Sequence, residues 1–529
     1  MVRVQPKIVV LLLSTSLLAA ACAGNELRSE VAERAARSTT TSTLRPTVST
    51  TTTTTTPVSD ADPPSAASGF PPNWTPTPID WKPCSQDNDA QCGELAVPLD
   101  WSQPTGAQIH LAVGRYEHSG SGDRIGALFI NPGGPGASGL DFLFGSPFTK
   151  DVTTKFDLVS WDPRGVGEST RLDCGAGVTK FLDLDPDPDT PDEQSAIDAA
   201  GSAALADCET KPDVNALLGH VGTDDTARDL EALRIALADK RLNYVGFSYG
   251  TYIGQRYLQL FPTHVRAMVL DGVVDPTLDL PGLLAGQTAA MTATLDRILA
   301  TCTSNQGCGL ADPEATYDRL KAQVEQTPLP TDDPAHHVGP AELAVATVSA
   351  MYQPEDWPVL LEALQSATSG DGNGLWRLAS QYYDAGDFAA YAAITCLDEA
   401  HPVGQAAYQT FVDQLRSQSP RLGGSVGNEM LPCATWPVPS QPHPELVSGE
   451  GSPDILVVGN TGDPATPYEW AQHVTQGLSK GHLLTYKGEG HTSYGRDACI
   501  DAMVNAYLVS LKVPPDGASC SGGGGSAGV

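Results

Sequence analysis

The stretch LNYVGFSYG, residues 242–250, decides the fold. Its first four residues form a short apolar run that is typical of a buried strand, and a helical pattern begins near Thr251. Between them lies GFSYG, a G-x-S-x-G motif around Ser248. A strand, this motif and a helix in succession form a nucleophile elbow, in which a tight turn exposes the serine and glycines let strand and helix approach closely. Ser248 is therefore the candidate nucleophile.

Short apolar runs bounded by glycine and proline predict further strands on both sides of this stretch. These strands are expected at 127–130, 156–161, 267–270, 455–458 and 482–486. Helical patterns alternate with them at 223–238, 251–261 and 499–511. Strands that alternate with helices predict an α/β protein with a doubly wound, mostly parallel sheet, and the elbow makes it an α/β-hydrolase fold.

Residues 276–450 interrupt this alternation, because their pattern is mainly helical, for example at 284–302, 314–326 and 358–367. Strand patterns return after Pro453. We therefore interpret 276–450 as a helical cap inserted between two parts of the hydrolase core, 73–275 and 451–520. The alternative is a separate domain.

A serine hydroxyl becomes a good nucleophile only when a base takes its proton. In this fold the chain order is serine, acid, histidine, and the last two follow late strands. The loop GNTGDP, 459–464, makes Asp463 the candidate acid, and GEGHT, 488–492, makes His491 the candidate base. Asp463 is expected to fix the tautomer of His491 and to stabilise its charged form. A turn aspartate and a surface histidine are the alternatives, but their order at the expected strand ends favours a triad.

The loop NPGGPG, 131–136, follows the strand at 127–130. Gly133 or Gly134 is expected to donate one backbone N–H to an oxyanion, and Tyr249 the other. A phosphate loop is disfavoured because no G-K-[ST] follows. The loop DPRGVGES, 162–169, is interpreted as structural. The sequence implies no organic cofactor and no metal, since it contains no CxxC pair and no HExxH motif.

The N-terminus has the pattern of an export signal over residues 1–21, because Arg3 and Lys7 precede an apolar run too short for a permanent membrane span. The segment LAAACAG, 18–24, resembles a bacterial lipobox with Cys22 as the lipidated residue, although Ala19 stands where leucine is usual. An ordinary secretory signal is the alternative. Residues 22–72 are expected to be a lipid-anchor region and a disordered Thr/Pro-rich stalk, and 521–529 a Gly-rich tail. The protein is thus expected outside the bacterial cell membrane, lipid-anchored or secreted.

The chain has 11 cysteines, and lipidation of Cys22 leaves 11 − 1 = 10, an even number. Exported proteins can keep disulfides. Pairing of sequence neighbours is the simplest arrangement, although sequence alone does not define connectivity. The predicted pairs are Cys84–Cys92, Cys174–Cys208, Cys302–Cys308, Cys396–Cys433 and Cys499–Cys520.

The charge balance is strongly acidic, with 31 basic and 63 acidic residues and a net charge of −32. Nucleic-acid binding is disfavoured because phosphate contacts need clustered Lys and Arg. A solvated, soluble surface is the simplest interpretation of this acidity. A peptide substrate and, through the lipid anchor, a membrane are the expected partners; the oligomeric state stays open.

These motifs together resemble those of the α/β-hydrolase peptidases that include proline iminopeptidase and secreted tripeptidyl aminopeptidases. The resemblance spans about residues 84–520 and rests on NPGGPG, D-P-R-G-x-G-x-S, GFSYG, GDPATP and the G-H after the last strand. It implies an exported serine exopeptidase that releases short peptides or single residues from free N-termini through an acyl-enzyme. Proline iminopeptidases carry a histidine before the oxyanion glycines, whereas Asn131 and Pro132 stand here, which favours the tripeptidyl type.

An aminopeptidase must recognise a free ammonium group, which in a desolvated cleft needs a carboxylate partner. The cap segment ITCLDE, 394–399, offers Asp398 and Glu399 beside Cys396, and Asp398 is preferred. The alternative is that both are solvated acids.

Two other functions compete with the aminopeptidase. An esterase or lipase of the same fold would use the same triad, but the scattered acids of the cap do not suit a broad apolar entrance. A non-catalytic surface lipoprotein would have no need of a complete triad.

Overall fold

The computed structural model describes residues 68–175, 177–204, 206–304, 308–383 and 386–522. The predicted signal peptide, Cys22 and the predicted stalk up to residue 67 lie outside these described residues, as does the tail from 523. No helix in the described ranges is both long enough and apolar enough to cross a membrane.

Strands predicted from apolar runs form the centre of a large sheet, in the order β1-β2-β3-β5-β4-β6-β7-β10-β11-β12. Neighbouring strands from β5 to β12 in this order are parallel, while β1, β2 and β3 add an antiparallel edge. The strands are β1 (Lys82–Pro83), β2 (Gln91–Pro98), β3 (Gln108–Tyr116), β4 (Gly126–Asn131), β5 (Phe156–Trp161), β6 (Leu242–Phe247), β7 (Val265–Asp271), β8 (Leu329–Pro330), β9 (His337–Val338), β10 (Ile455–Gly462), β11 (Gly481–Glu489) and β12 (Ser519–Ser521).

Helices cover both faces of this sheet, and alternate residues of the central strands enter two separate apolar cores. Phe129 and Tyr244 face one core, whereas Leu128 and Val245 face the other. Strands β4, β5 and β6 are therefore buried along their whole length, as expected for parallel strands covered on both sides. The core helices are Gly139–Phe144, Lys150–Thr153, Thr223–Ala236, Tyr249–Leu260, Tyr468–Gly477 and Ala498–Ser510, with a 3₁₀ turn at Pro262–His264. The predicted α/β-hydrolase fold is confirmed.

The cap lies between two strands that are neighbours in the sheet. Strand β7 pairs with β10, with Val269 opposite Leu456, although the helical segment separates them in the chain. Strands β8 and β9 form a small antiparallel pair inside this segment. The cap helices are Leu280–Ser304, Pro313–Gln326, Pro340–Met351, Trp357–Ala367, Asn373–Tyr383, Phe388–Asp398, Gln405–Gln418 and Gly423–Glu429, with 3₁₀ turns at Pro354–Asp356 and Leu431–Thr435.

A second helical excursion, absent from the sequence prediction, follows β5. Its helices are Gly177–Leu182, Pro191–Ala204, Ala206–Thr210 and Pro212–Leu217. The excursion packs on the cap: a Cβ added to Gly201 would lie 3.2 Å from Leu431 Cγ. Asp187 accepts from Lys321 Nζ and from Arg416 Nε, each at 2.7 Å, and thereby joins the excursion to two cap helices. The cap is therefore assembled from two separate parts of the chain.

Five disulfides are present in the described ranges, and they join the five predicted pairs. Each bridge closes a local loop, from a sequence separation of 6 for Cys302–Cys308 to 37 for Cys396–Cys433. Disulfides persist in oxidising compartments, so the cysteine pattern fits export.

Replacing Cys396 and Cys433 together by serine should lower the free energy of unfolding by about 2–5 kcal/mol, because the loop between them gains entropy in the unfolded chain. The same change at Cys302 and Cys308 should cost about 1.5 kcal/mol less, since that loop is much shorter. Denaturant titration of both variants measures the difference. Equal losses would contradict the loop-entropy explanation.

Candidate active site

Ser248 lies in a sharp turn between strand β6 and the helix Tyr249–Leu260. Its backbone has φ of 54° and ψ of −127°, a conformation that residues other than glycine rarely adopt. This strained geometry is that of a nucleophile elbow, and it presents the serine side chain at the carboxyl end of the sheet. Ser248 is partly exposed and lines a pocket under the cap.

Glycines on both sides of Ser248 make this turn possible. A Cβ on Gly246 would overlap the backbone of Gly250. A Cβ on Gly250 would lie 2.7 Å from the carbonyl oxygen of Asn131, the last residue of the neighbouring strand β4. Any larger residue at either position would push the elbow away from the sheet.

His491 and Asp463 meet as the sequence predicts. His491 Nδ1 lies 2.9 Å from Asp463 Oδ1 and 3.0 Å from Asp463 Oδ2. Both side chains are buried, and the His491 backbone N–H donates to the Tyr352 carbonyl of the cap at 2.9 Å. The hydrogen bond to Asp463 fixes the proton of His491 on Nδ1 and leaves Nε2 as the nitrogen that can act as a base.

The Asp463 carboxylate is stabilised by backbone donors as well as by His491. Oδ1 accepts from the N–H groups of Ala465 and Thr466, at 2.9 and 2.8 Å, and Oδ2 accepts from Thr492 N–H at 3.3 Å. These bonds hold the carboxylate in place beside His491. The Thr466 hydroxyl also lies 3.3 Å from His491 Nδ1, a contact that the sequence analysis missed.

Asp271, the last residue of β7, connects the nucleophile loop with the histidine loop and was also missed. Its carbonyl accepts Ser248 N–H at 2.9 Å, and its Oδ2 accepts the N–H groups of Ser493 and Tyr494 at 3.0 and 2.8 Å. Burial raises the pKa of the Asp271 carboxyl to about 6, against the lowering effect of those two donors. Its place at the carboxyl end of a predicted parallel strand was the available signal.

His491 Nε2 is buried and has no hydrogen-bond partner among the described residues. Two observations bring the His491 ring close to the loops around the nucleophile. Gly272 follows Asp271, whose carbonyl accepts the Ser248 N–H. A Cβ added to Gly272 would lie 3.1 Å from His491 Cε1. Thr466, which contacts the His491 ring, lines the same pocket as Ser248. In unliganded hydrolases the contact between nucleophile and base is often loose.

The two glycines predicted as oxyanion donors, Gly133 and Gly134, have different surroundings. Gly133 N–H donates to Asn131 Oδ1 at 3.0 Å, whereas Gly134 lines the pocket, so the geometry favours Gly134 of the two candidates. Gly133 instead gives close packing: its φ is 96°, and a Cβ there would lie 2.8 Å from Tyr249 N. Tyr249 begins its helix, so its N–H has no intrahelical acceptor and is available to a ligand.

The loop 162–169 supports the site without lining the pocket. Asp162 accepts from the Ser138 hydroxyl at 2.7 Å and from Leu140 N–H at 3.1 Å, which anchors the segment after the oxyanion loop. The fully buried Arg164 forms a bidentate pair with Asp229 at 2.6 and 2.7 Å. The structure thus gives this loop the structural role expected for it.

Both predicted acids of the cap, Asp398 and Glu399, line the pocket together with Ser248. Burial raises the pKa of Asp398 to about 7, although hydrogen bonds from Thr223 oppose the shift. Burial, and then repulsion by Asp398 and Asp279, raises the pKa of Glu399 to about 8.

The partners of the two acids differ. Asp398 accepts from Thr223 N–H and from the Thr223 hydroxyl, whereas the Glu399 side chain makes no hydrogen bond or ion pair with any described residue. These contacts favour Glu399 as a ligand for an ammonium group, whereas the sequence analysis preferred Asp398.

One group of potential metal ligands occurs within the described ranges, formed by Asp497, Cys499 and Cys520. The two cysteines are joined in a disulfide and offer no thiolate. This group does not contribute to the pocket.

The fold and the site define the class of the protein: a serine hydrolase with the α/β-hydrolase architecture. A family model described as TAP-like protein matches residues 419–520. The chain is 35% identical over 477 residues to serine protease Hip1 of Mycobacterium tuberculosis, covering 84% of this chain and 91% of that protein.

Two further relatives have names that differ in the reaction they indicate. Tripeptidyl aminopeptidase of Streptomyces lividans is 33% identical over 471 residues, covering 84% of this chain and 86% of that protein. Carboxylesterase B of Mycobacterium tuberculosis is 33% identical over 463 residues, covering 83% and 87%. The chain belongs to the TAP-like family of α/β-hydrolases.

Ser248→Ala and His491→Ala should each abolish hydrolysis of a small ester, and Ser248→Ala should also abolish labelling by a fluorophosphonate, because nucleophile and base act as one unit. Asp463→Asn should lower kcat by about 10⁴-fold through the wrong histidine tautomer. Steady-state kinetics and gel-based labelling measure these effects.

A matched control is Asp454→Asn, since Asp454 accepts from His482 Nε2 at 3.0 Å in a more exposed aspartate–histidine pair outside the pocket. This variant should retain full activity. Labelling of Ser248→Ala would disprove the assignment of the nucleophile.

Proposed function

We propose that this protein is a serine aminopeptidase that releases short peptides, with tripeptides favoured, from free N-termini through an acyl-enzyme. The observation that carries the proposal is the composition of one pocket, which contains Ser248 and the buried, unpartnered carboxyl group of Glu399. A nucleophile and an uncompensated acid in the same pocket suit a substrate that is an acyl donor at one end and a cation at the other.

Glu399 fits the ammonium group of a peptide because each compensates for the burial of the other. The raised pKa of about 8 keeps the Glu399 side chain mostly protonated at neutral pH. An incoming cation favours the ionised form, so binding is coupled to loss of a proton. A substrate without the cation leaves the acid neutral and gains nothing from it.

In the proposed mechanism, Ser248 Oγ attacks the scissile carbonyl while His491 Nε2 takes its proton. The N–H groups of Gly134 and Tyr249 stabilise the negative oxygen of the tetrahedral intermediate. The C–N bond then breaks, His491 gives the proton to the leaving amine, and the released N-terminal fragment stays on Ser248 as an ester. Water, activated by His491, hydrolyses that ester.

The esterase alternative stays open in one respect, because a relative named carboxylesterase B is as similar as one named tripeptidyl aminopeptidase. The triad and oxyanion hole serve esters and amides alike. A requirement for a free amino group separates the two functions.

Acetylation of a peptide's N-terminus should abolish its cleavage, since it removes the cation that pairs with Glu399. Glu399→Gln should lower kcat/KM for free peptides at least tenfold, mainly through KM, and should leave kcat/KM for a small neutral ester within about twofold. Mass spectrometry of the released fragments gives their length.

Glu362→Gln is the matched control, because Glu362 is an exposed acid on the cap helix Trp357–Ala367 and does not line the pocket. It should behave as the unmodified protein on both substrates. Equal turnover of free and acetylated peptides would refute the aminopeptidase proposal and favour the esterase.

We propose further that the mature protein begins at Cys22 and carries lipid there, which would hold it at the outer face of the cell membrane. The proposal is supported by the lipobox-like segment 18–24 and by the pairing of all ten other cysteines. Two acyl chains are sufficient for stable anchoring. Cys22→Ala should leave the precursor uncleaved or release it into the medium, and an unmodified mature N-terminus elsewhere in the mass spectrum would refute the proposal.

A further inference from the structure

We propose that Asp398 is a positioning residue for the oxyanion hole: through the Thr223 hydroxyl it holds the side chain of Tyr249, whose backbone N–H is the candidate oxyanion donor. The inference rests on the proposed role of Ser248 as nucleophile, but not on the choice between peptide and ester. It gives the cap a part in the chemical step and not only in substrate binding.

The three residues form a continuous buried chain of hydrogen bonds. Thr223 N–H donates to Asp398 Oδ1 at 3.0 Å and to Oδ2 at 3.2 Å. The Thr223 hydroxyl lies 2.5 Å from Asp398 Oδ2 and 2.5 Å from the Tyr249 hydroxyl. Asp398, Thr223 and Tyr249 are 5%, 1% and 8% exposed, so water does not compete for these bonds.

The direction of the chain follows from the number of hydrogens. Above its pKa, which burial raises to about 7, Asp398 is ionised and only accepts, so the single hydrogen of the Thr223 hydroxyl points to it. The Thr223 oxygen then accepts the hydrogen of the Tyr249 hydroxyl. In this arrangement each of the three side chains has a hydrogen-bond partner. The carboxylate at one end of the chain strengthens the hydrogen bonds along it.

The far end of this chain is the residue next to the nucleophile. Tyr249 N lies 2.8 Å from the Cβ position of Gly133, so its backbone is held between the oxyanion loop on one side and the clamped side chain on the other. Oxyanion donors act only when they are aimed within a few tenths of an ångström at the developing charge. Fixing the phenol limits rotation of the Tyr249 backbone and keeps its N–H in place.

The chain also crosses from the cap to the core. Asp398 is the last residue of the cap helix Phe388–Asp398, which the disulfide Cys396–Cys433 attaches to the turn Leu431–Thr435. Thr223 is the first residue of a core helix, whose positive end favours a carboxylate. The preceding Gly222 leaves room for this contact, because a Cβ there would lie 2.9 Å from Asp398 Oδ1.

Thr223→Val and Tyr249→Phe test the proposal, because each removes one hydroxyl at nearly constant volume. Both should lower kcat for a small neutral ester at least tenfold, with KM changed less than threefold, and should weaken binding of a boronate transition-state analogue in parallel. Thr223→Ser keeps the hydroxyl and should restore most of kcat. Removal of a whole oxyanion donor costs about 10²–10³-fold, which sets the upper bound.

A double-variant cycle tests whether the residues act as one unit. Asp398→Ala should lower kcat for the ester, and adding Tyr249→Phe to it should cause less than a twofold further loss. If the two residues contributed independently, their separate losses of kcat would multiply in the double variant. This outcome would overturn the proposal.

The matched control is a second tyrosine–threonine pair, Tyr317 and Thr347, whose hydroxyls lie 3.2 Å apart inside the cap. Tyr317→Phe and Thr347→Val should leave kcat and boronate affinity unchanged. If Thr223→Val does not fold, Tyr249→Phe decides the matter alone. Full kcat in a folded Tyr249→Phe protein would disprove the proposal, whereas residual turnover by Ser248→Ala would disprove the nucleophile on which it rests.

Discussion

The backbone of Ser248 is the constraint on which the rest of the site depends. A serine with a φ of 54° is stable only where its surroundings hold it, and here they do so on three sides. Gly246 and Gly250 admit the close approach of strand and helix, Asp271 accepts the serine N–H, and Gly133 passes beside Tyr249 without a side chain. The strained backbone of Ser248 is thus held by several elements around the sheet and not by a single loop.

The sheet topology explains why these loops converge. The order β5-β4-β6 means that the chain leaves β4 towards one edge and β6 towards the other. Loops after two such strands diverge and leave a crevice at the carboxyl end of the sheet, where ligands of open α/β sheets bind. The oxyanion loop and the elbow lie on either side of this crevice. Asp463 and His491 follow β10 and β11, which lie beyond β6 and β7 in the sheet.

The sequence predicted the parts of the fold that have strong local signals. Six parallel strands, of which β4, β5, β6, β7 and β10 are largely buried, were predicted from short, mostly apolar runs. Each candidate of the triad follows one of these strands, so the strands and the triad were predicted together. Strands β2 and β3 were missed because polar residues interrupt them, so they contain no long apolar run like those from which the other strands were predicted. The helices of 177–217 were missed because their attachment to the cap depends on tertiary contacts such as those of Asp187. The neighbouring acids Asp398 and Glu399 could not be distinguished, since only the fold shows that Thr223 occupies one of them.

The different surroundings of Asp398 and Glu399 bear on why such a hydrolase would cleave peptides near a free N-terminus. An enzyme that accepts internal bonds needs a cleft open on both sides of the nucleophile. Here the pocket that contains Ser248 also contains Glu399, whose pKa burial raises to about 8 and whose charged form a cation would stabilise. An internal segment would place an uncharged amide there and would forgo this interaction, which for a charged hydrogen bond is worth about 1.5–3 kcal/mol, or roughly 10–150-fold in affinity. The separation between Ser248 and Glu399 then limits the length of the fragment released. Asp398, one residue away, is engaged by the core, and so the helix end proposed to bind the substrate's ammonium group would also aim the oxyanion hole.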